Sequence, residues 1–156
     1  MSTLRRAWPL VSWLLAGAVA GCGPTPEARW LAAAQAAHEN VDEKERRAAL
    51  DAFLARPVPA GIQRDDARVV RQDAAYRLAR LMLAEGDPEG AETIATSALA
   101  EGAKDDVFTA NLYVVRGQAL EALGHPVRAT MDYHDALLIN ERLLEAALAE
   151  DGDEDR

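Results

Sequence analysis

A single thiol, Cys22, stands out among the side chains able to do chemistry. It follows Val19-Ala20-Gly21, so a sulfur nucleophile sits directly behind two small residues and a branched one. Sulfur is readily alkylated, and small neighbours give a processing enzyme close access to the backbone. One cysteine excludes an intrachain disulfide and any multi-cysteine zinc site. The three histidines, His38, His125 and His134, are scattered. Asp132-Tyr133-His134-Asp135 resembles a metal set at first sight, but neighbouring helical residues point in different directions and no second His follows at i+4. It reads as a solvated face. His125 falls in a turn, at a helix N-cap. Asp65-Asp66 and Asp105-Asp106 could be acid/base dyads, yet each pair stands where a helix starts, and capping of free N–H groups explains it better. No nucleophile motif, glycine-rich phosphate loop or HExxH occurs. The expectation is a protein that is not an enzyme, with no metal and no small-molecule substrate.

The elements that carry these residues follow from composition and punctuation. The chain has 156 residues, a prior for one domain, with 17 Lys+Arg against 26 Asp+Glu and a net charge of -9. That balance argues against nucleic acid, whose phosphates need a Lys/Arg surplus. Apolar residues make up 49% and aromatics only 5%, with Ala the most frequent type, which fits closely packed helices better than a β sandwich.

Residues 1–21 read as a leader rather than as fold. Arg5 and Arg6 precede an uncharged run over residues 7–21. That run is shorter than the about 20 residues of a bilayer span and suits a signal-peptide core. Val19-Ala20-Gly21-Cys22 resembles the bacterial lipoprotein lipobox. The resemblance implies cleavage before Cys22, a diacylglyceryl group on its sulfur and acylation of its new amine, with no other cofactor. Several acyl chains anchor a protein to a bilayer without a basic surface. Gly23, rather than Asp, follows the cysteine, which by resemblance to enterobacterial lipoproteins points to the outer membrane, facing the periplasm.

Residues 22–28 form a tether. Helices are expected over 27–40 and 42–56, a degenerate hairpin spanning 29–56, and two prolines and a glycine in 57–61 open a linker over 57–64. A third helix, capped by Asp65 or Asp66, runs to about Glu85. Gly86-Asp87-Pro88 then stops and restarts the chain, with Gly at C′, Asp as N-cap and Pro first in the helix. A fourth helix reaches about Ala100. A fifth, capped by Asp105 or Asp106, reaches Leu123. Gly124-His125-Pro126 repeats the punctuation. A sixth runs to about Ala149, with Ala129, Tyr133, Ala136, Leu137, Asn140, Leu143, Leu144, Ala147 and Leu148 as its buried stripe. Residues 150–156 form an acidic, frayed tail.

Aligning Gly86 with Gly124 gives a period of 38. Ala75, Leu78, Ala79 and Met82 then match Tyr113, Arg116, Gly117 and Leu120. Ala91, Ala95, Ala98 and Leu99 match Ala129, Tyr133, Ala136 and Leu137. This resembles the tetratricopeptide repeat, best carried by Tyr113-x2-Arg116-Gly117-x2-Leu120 with Ala129-x3-Tyr133-x2-Ala136. Small residues there sit where helices cross, and large ones fill between. The departures are a period above the usual 34 or so, small residues at Ala75 and Ala95, and no closing Pro. The fold expected is an all-α, right-handed solenoid of about three antiparallel helix-turn-helix hairpins. Repeat one spans 65–104, and repeat two spans 105–149 with an extended capping helix.

The resemblance implies that the first helices of the hairpins line a concave groove for a protein partner. Its positions are Asp73, Tyr76, Arg77, Arg80 and Leu83, then Asn111, Val114, Val115, Gln118 and Glu121. Tyr76, Arg77 and Arg80 suit an acidic or carboxylate-bearing segment, although the Lys/Asn pattern of the carboxylate-clamp subfamily is missing. Pairing of Arg77 and Arg80 with Asp73 or Glu85 is the competing reading. The function implied is a lipid-anchored, non-catalytic adaptor in assembly of an envelope machine such as a pilus secretin, secretion or motility complex. The alternatives are a docking regulator of peptidoglycan-remodelling enzymes and an outer-membrane protein assembly subunit. Replacing Cys22 by Ser should abolish fatty-acid labelling in growing cells, and persistent labelling would refute the lipobox.

Overall fold

The computed structural model describes residues 23–154, so the leader and Cys22 lie outside the described residues. Among these residues all regular structure is helical: α1 (Pro26–Glu39), α2 (Glu43–Leu54), α3 (Arg64–Ala84), α4 (Pro88–Ala100), α5 (Val107–Ala122) and α6 (Pro126–Glu154). Short turns join α1 to α2, α3 to α4 and α5 to α6, whereas longer connections, 55–63 and 101–106, separate these pairs. Every helix packs on the next, so the short turns make three antiparallel hairpins. In addition α3 packs broadly on α5 and only slightly on α1, while α2, α4 and α6 do not pack on one another. The hairpins therefore stand in a row with α1, α3 and α5 along one side.

The stops and starts have local causes. Gly86 and Gly124 take φ values of 81° and 76°, a left-handed conformation that only glycine adopts without strain. Each closes the same motif: the Asp87 N–H donates to the Met82 carbonyl and the His125 N–H to the Leu120 carbonyl, both at 2.8 Å. Asp42, Asp87 and Asp106 cap their helices by accepting from the N–H of Glu45, Gly90 and Thr109. Two expectations change. Asp65 and Asp66 do not cap α3; Gln63 holds that position without a side-chain bond, and the carboxylates fall in the first turn. There they still face the positive end of the helix dipole. The expected frayed tail is also helical as far as Glu154.

The core is built from small residues at crossings and large ones between. The rings of Trp30 and Phe53 meet at a tilt, 4.9 Å between centroids, beside fully buried Leu50 and Leu78. Ala75, Ala79, Ala91 and Ala95 then bring α3, α4 and α5 together over Leu112 and Val115. In the last hairpin the same two crossing positions are Gly117 and Tyr133. A Cβ on Gly117 would lie 2.6 Å from the Tyr133 ring, so glycine is required for the ring to fit. The Tyr133 hydroxyl donates to the Glu121 carboxylate at 2.8 Å. Burial first, and then that carboxylate, push its pKa up to about 12.

The stripe expected on α6 is partly misplaced. Ala129, Asp132, Ala136 and Ile139 are buried, whereas Leu137, Leu144 and Leu148 are 54%, 61% and 62% exposed, and Asn140 and Ala147 are exposed too. The reason is that α6 packs on α5 alone. Leu99, one period earlier, is 8% exposed because α5 covers it, and no helix covers Leu137. Arg142 bonds Asp105, just ahead of α5, so Leu144 and Leu148 lie beyond the start of that helix.

Replacing Gly117 by Ala should destabilise the protein by about 1–3 kcal/mol through overpacking. Combining it with Tyr133→Ala, which recreates the Ala79–Ala95 pair, should remove most of that clash. In urea melts of a double-mutant cycle the two changes should couple by more than about 1 kcal/mol; additivity would show that the ring and Gly117 do not constrain each other.

Candidate functional site

The outward face of α3 carries Asp73, Tyr76, Arg77 and Arg80 at helical spacing. Beside it lies a cavity of about 460 Å³ lined by Tyr76, Arg77, Arg80 and Leu81 from α3, His38 from α1, and Glu43 and Arg46 from α2. It exists because α1 meets α3 over only a short stretch. Arg46 is fixed by donating from Nε to the Asn40 carbonyl at 2.7 Å, which braces the α1–α2 turn. Arg77 donates from Nε to Asp73 at 3.0 Å. Arg80 lies 5.8 Å from the centroid of the Tyr76 ring, a cation–π contact, and takes part in no ion pair among the described residues. Glu85 is not its partner, because Arg47 takes both Glu85 and Asp87. The competing pairing therefore holds for Arg77 and fails for Arg80.

The remaining expected groove positions behave differently. Val115 is fully buried, and it is withdrawn as a groove residue. It occupies the position of Arg77 one period on, but the broad α3–α5 packing closes over it. Leu83 is half-buried against the same core. Glu121 is occupied by Tyr133. Asn111 and Val114 are half-buried and Gln118 is exposed on α5. The cavity that holds Tyr76, Arg77 and Arg80 is closed by the first hairpin instead. His38, Glu43 and Arg46 were thus missed by sequence reasoning; no glycine turn marks that hairpin, so its register could not be carried over from the others.

Asp132-Tyr133-His134-Asp135 does not converge on a site. Asp132, 5% exposed, receives two bonds from Arg116, at 2.8 Å and 2.7 Å, while Tyr133 turns to Glu121 and His134 and Asp135 are exposed. No trio of His, Cys, Asp or Glu is placed to hold a metal among the described residues. None of their helices is long and apolar enough to cross a membrane. What the α3 cavity offers chemically is cationic donors beside an aromatic ring, a set that binds carboxylates and other anions.

Comparison with family models, with curated proteins and with solved structures found no match to this chain.

His38 is held below its ordinary pKa, first by burial and then by Arg77, with Asp73 opposing. Its Nε2 is 3.4 Å from Asp73 but out of hydrogen-bond alignment. The unfolded chain therefore takes up a proton at about pH 6.5 before the folded one does. Stability should be full above that pH and fall as pH drops towards the lowered value. Thermal melts at pH 7.5 and 5.5, with His38→Gln as control, check this; a variant with an equally large loss at low pH would remove His38 as the cause.

Proposed function

We propose that this chain is a non-catalytic, lipid-anchored adaptor of a bacterial cell envelope, made of tetratricopeptide-like hairpins that hold a protein partner. Support for the repeat reading comes from the punctuation and from the crossings. The Gly86 and Gly124 stops share one hydrogen-bond pattern. Small residues mark the crossings of all three hairpins, with Ala34 and Ala37 in the first.

The observation that carries the adaptor reading is the α3 cavity. A chain of net charge -9 gathers Arg46, Arg77 and Arg80 with Tyr76 around one opening. Arginine and tyrosine are the side chains that most often anchor protein interfaces. Arg80 enters no ion pair among the described residues, so an acidic side chain of a partner meets a guanidinium already backed by the Tyr76 ring. Support for the anchor is the Val19-Ala20-Gly21-Cys22 sequence behind a charged and then apolar leader. The place proposed is the outer membrane, facing the periplasm, within a pilus, secretion or motility assembly.

Crosslinking in intact cells tests the reading. Arg77→Ala with Arg80→Ala should remove the crosslinked partner while far-UV circular dichroism stays unchanged, because both side chains are exposed. An unchanged set of crosslinked proteins would overturn the cavity as the partner site.

A further inference from the structure

A second group of basic side chains, around the starts of α1 and α3 and the end of α2, is not used by the α3 cavity. Two cavities open there and share Val58, itself 38% exposed. One, of about 440 Å³, lies between the start of α1 and residues 56–59, with Arg29 and Arg56 in its wall. The other, of about 410 Å³, lies at the start of α3 and includes Ile62, Arg64 and Arg68. Arg68 is only 7% exposed. Its two Nη atoms donate to Gln72 and Asp106, but its Nε–H is buried with no acceptor. A buried charged donor left unpaired is costly, and the Arg68 side chain forms part of the wall of this cavity. At the same cavity α3 starts without a side-chain cap, leaving its first N–H groups without helical partners.

Most acids near this group are already engaged. Asp65 pairs with Lys104 and Glu101 with Arg71, both at 2.7 Å, and Asp106 pairs with Arg68. Arg29, Arg56 and Arg64 are exposed and enter no ion pair among the described residues. Glu27, whose carboxylate lies against Gly61, and Asp66 stand against them.

The position of this group matters. Pro26 lines the first cavity, and Cys22 is four residue steps away, a reach of at most about 14 Å. With Cys22 acylated, Pro26 is held within that distance of lipid headgroups. We infer that Arg29, Arg56 and Arg64 bind the phosphates of anionic phospholipid. Val58 and Ile62 supply the apolar part of the contact, and the interaction fixes which part of the protein meets the bilayer. The inference rests on the anchored reading for its geometry, and it is separable from that reading by experiment.

Hydrogen exchange of the full chain decides it. The chain is measured with vesicles of phosphatidylethanolamine containing about one third phosphatidylglycerol, with vesicles of phosphatidylcholine, and with inorganic phosphate alone. The expected result is slowed exchange at the start of α1 and over residues 57–64 with the anionic vesicles only. The variant Arg29→Gln, Arg56→Gln, Arg64→Gln should lose that protection and bind the anionic vesicles roughly a hundredfold more weakly, at about 1 kcal/mol per arginine. Equal protection on phosphatidylcholine, or protection that survives in the variant, overturns the inference. The same protection with inorganic phosphate alone assigns the cavity to a free anion and also overturns it. The mass of the peptide carrying Cys22 reports separately on the anchor: an unacylated Cys22 with protection intact sinks the anchor and leaves the headgroup contact standing.

Discussion

The constraint on which this protein depends is the close approach of paired helices, which only small side chains at the crossings allow. In the middle hairpin both crossing positions are alanine, Ala79 and Ala95, and α5 fits over them. In the last hairpin one side shrinks to Gly117 and the other grows to Tyr133, whose ring packs on Gly117. The hydroxyl that comes with the ring then needs an acceptor, and Glu121 stands where the middle hairpin has Leu83. One exchange of volume between the two helices thus keeps them in contact. The alanine excess in the composition has the same origin, since each crossing removes a large side chain from the sequence.

Holding neighbouring hairpins in register is a polar matter. Arg68 and Gln72 are buried and span the joint: Arg68 bonds Gln72 and Asp106, and Gln72 donates to the carbonyls of Ala98 and Gly102. The bond to Gly102 gives a carbonyl of the longer 101–106 connection a partner. The Asp106 carboxylate is held below its ordinary pKa because the Thr109 N–H and hydroxyl and Arg68 together outweigh its burial, itself the largest single influence. The same pair of positions can be apolar or ionic. Leu78 and Ile94 face the first hairpin through hydrophobic packing, whereas their counterparts one period on, Arg116 and Asp132, form a two-bond ion pair. Such a pair is no stronger than well-packed apolar residues, but removing one member leaves a buried charge.

Looseness at one joint is what opens the cavity. The first hairpin leans on α2–α3 packing and barely touches α3 through α1. Arg77 is left exposed there, while Val115, its counterpart, is sealed under α3. An array with uniform joints would have buried both. The uneven joint also brings His38 and Arg46 to the Tyr76 side of α3, giving the cavity walls from two hairpins.

The sequence by itself determined the helices and where they stop. Gly86 and Gly124 force left-handed turns, Pro88 and Pro126 restart the chain, and Asp42, Asp87 and Asp106 cap it, all through interactions within a few residues. It also determined which crossings are close, because Gly and Ala at a fixed period leave no other packing. Which way a side chain finally faces depended on neighbours distant in the chain, and only the tertiary structure decided that. Leu137 and Leu99 carry the same side chain at equivalent positions, yet one is exposed and the other covered. Tyr76, Arg77 and Arg80 were legible as a basic and aromatic face, but their companions His38 and Arg46 were not. Helical punctuation is local chemistry, whereas a cavity is the space left between packed surfaces, and that space is set by how far each hairpin closes on the next.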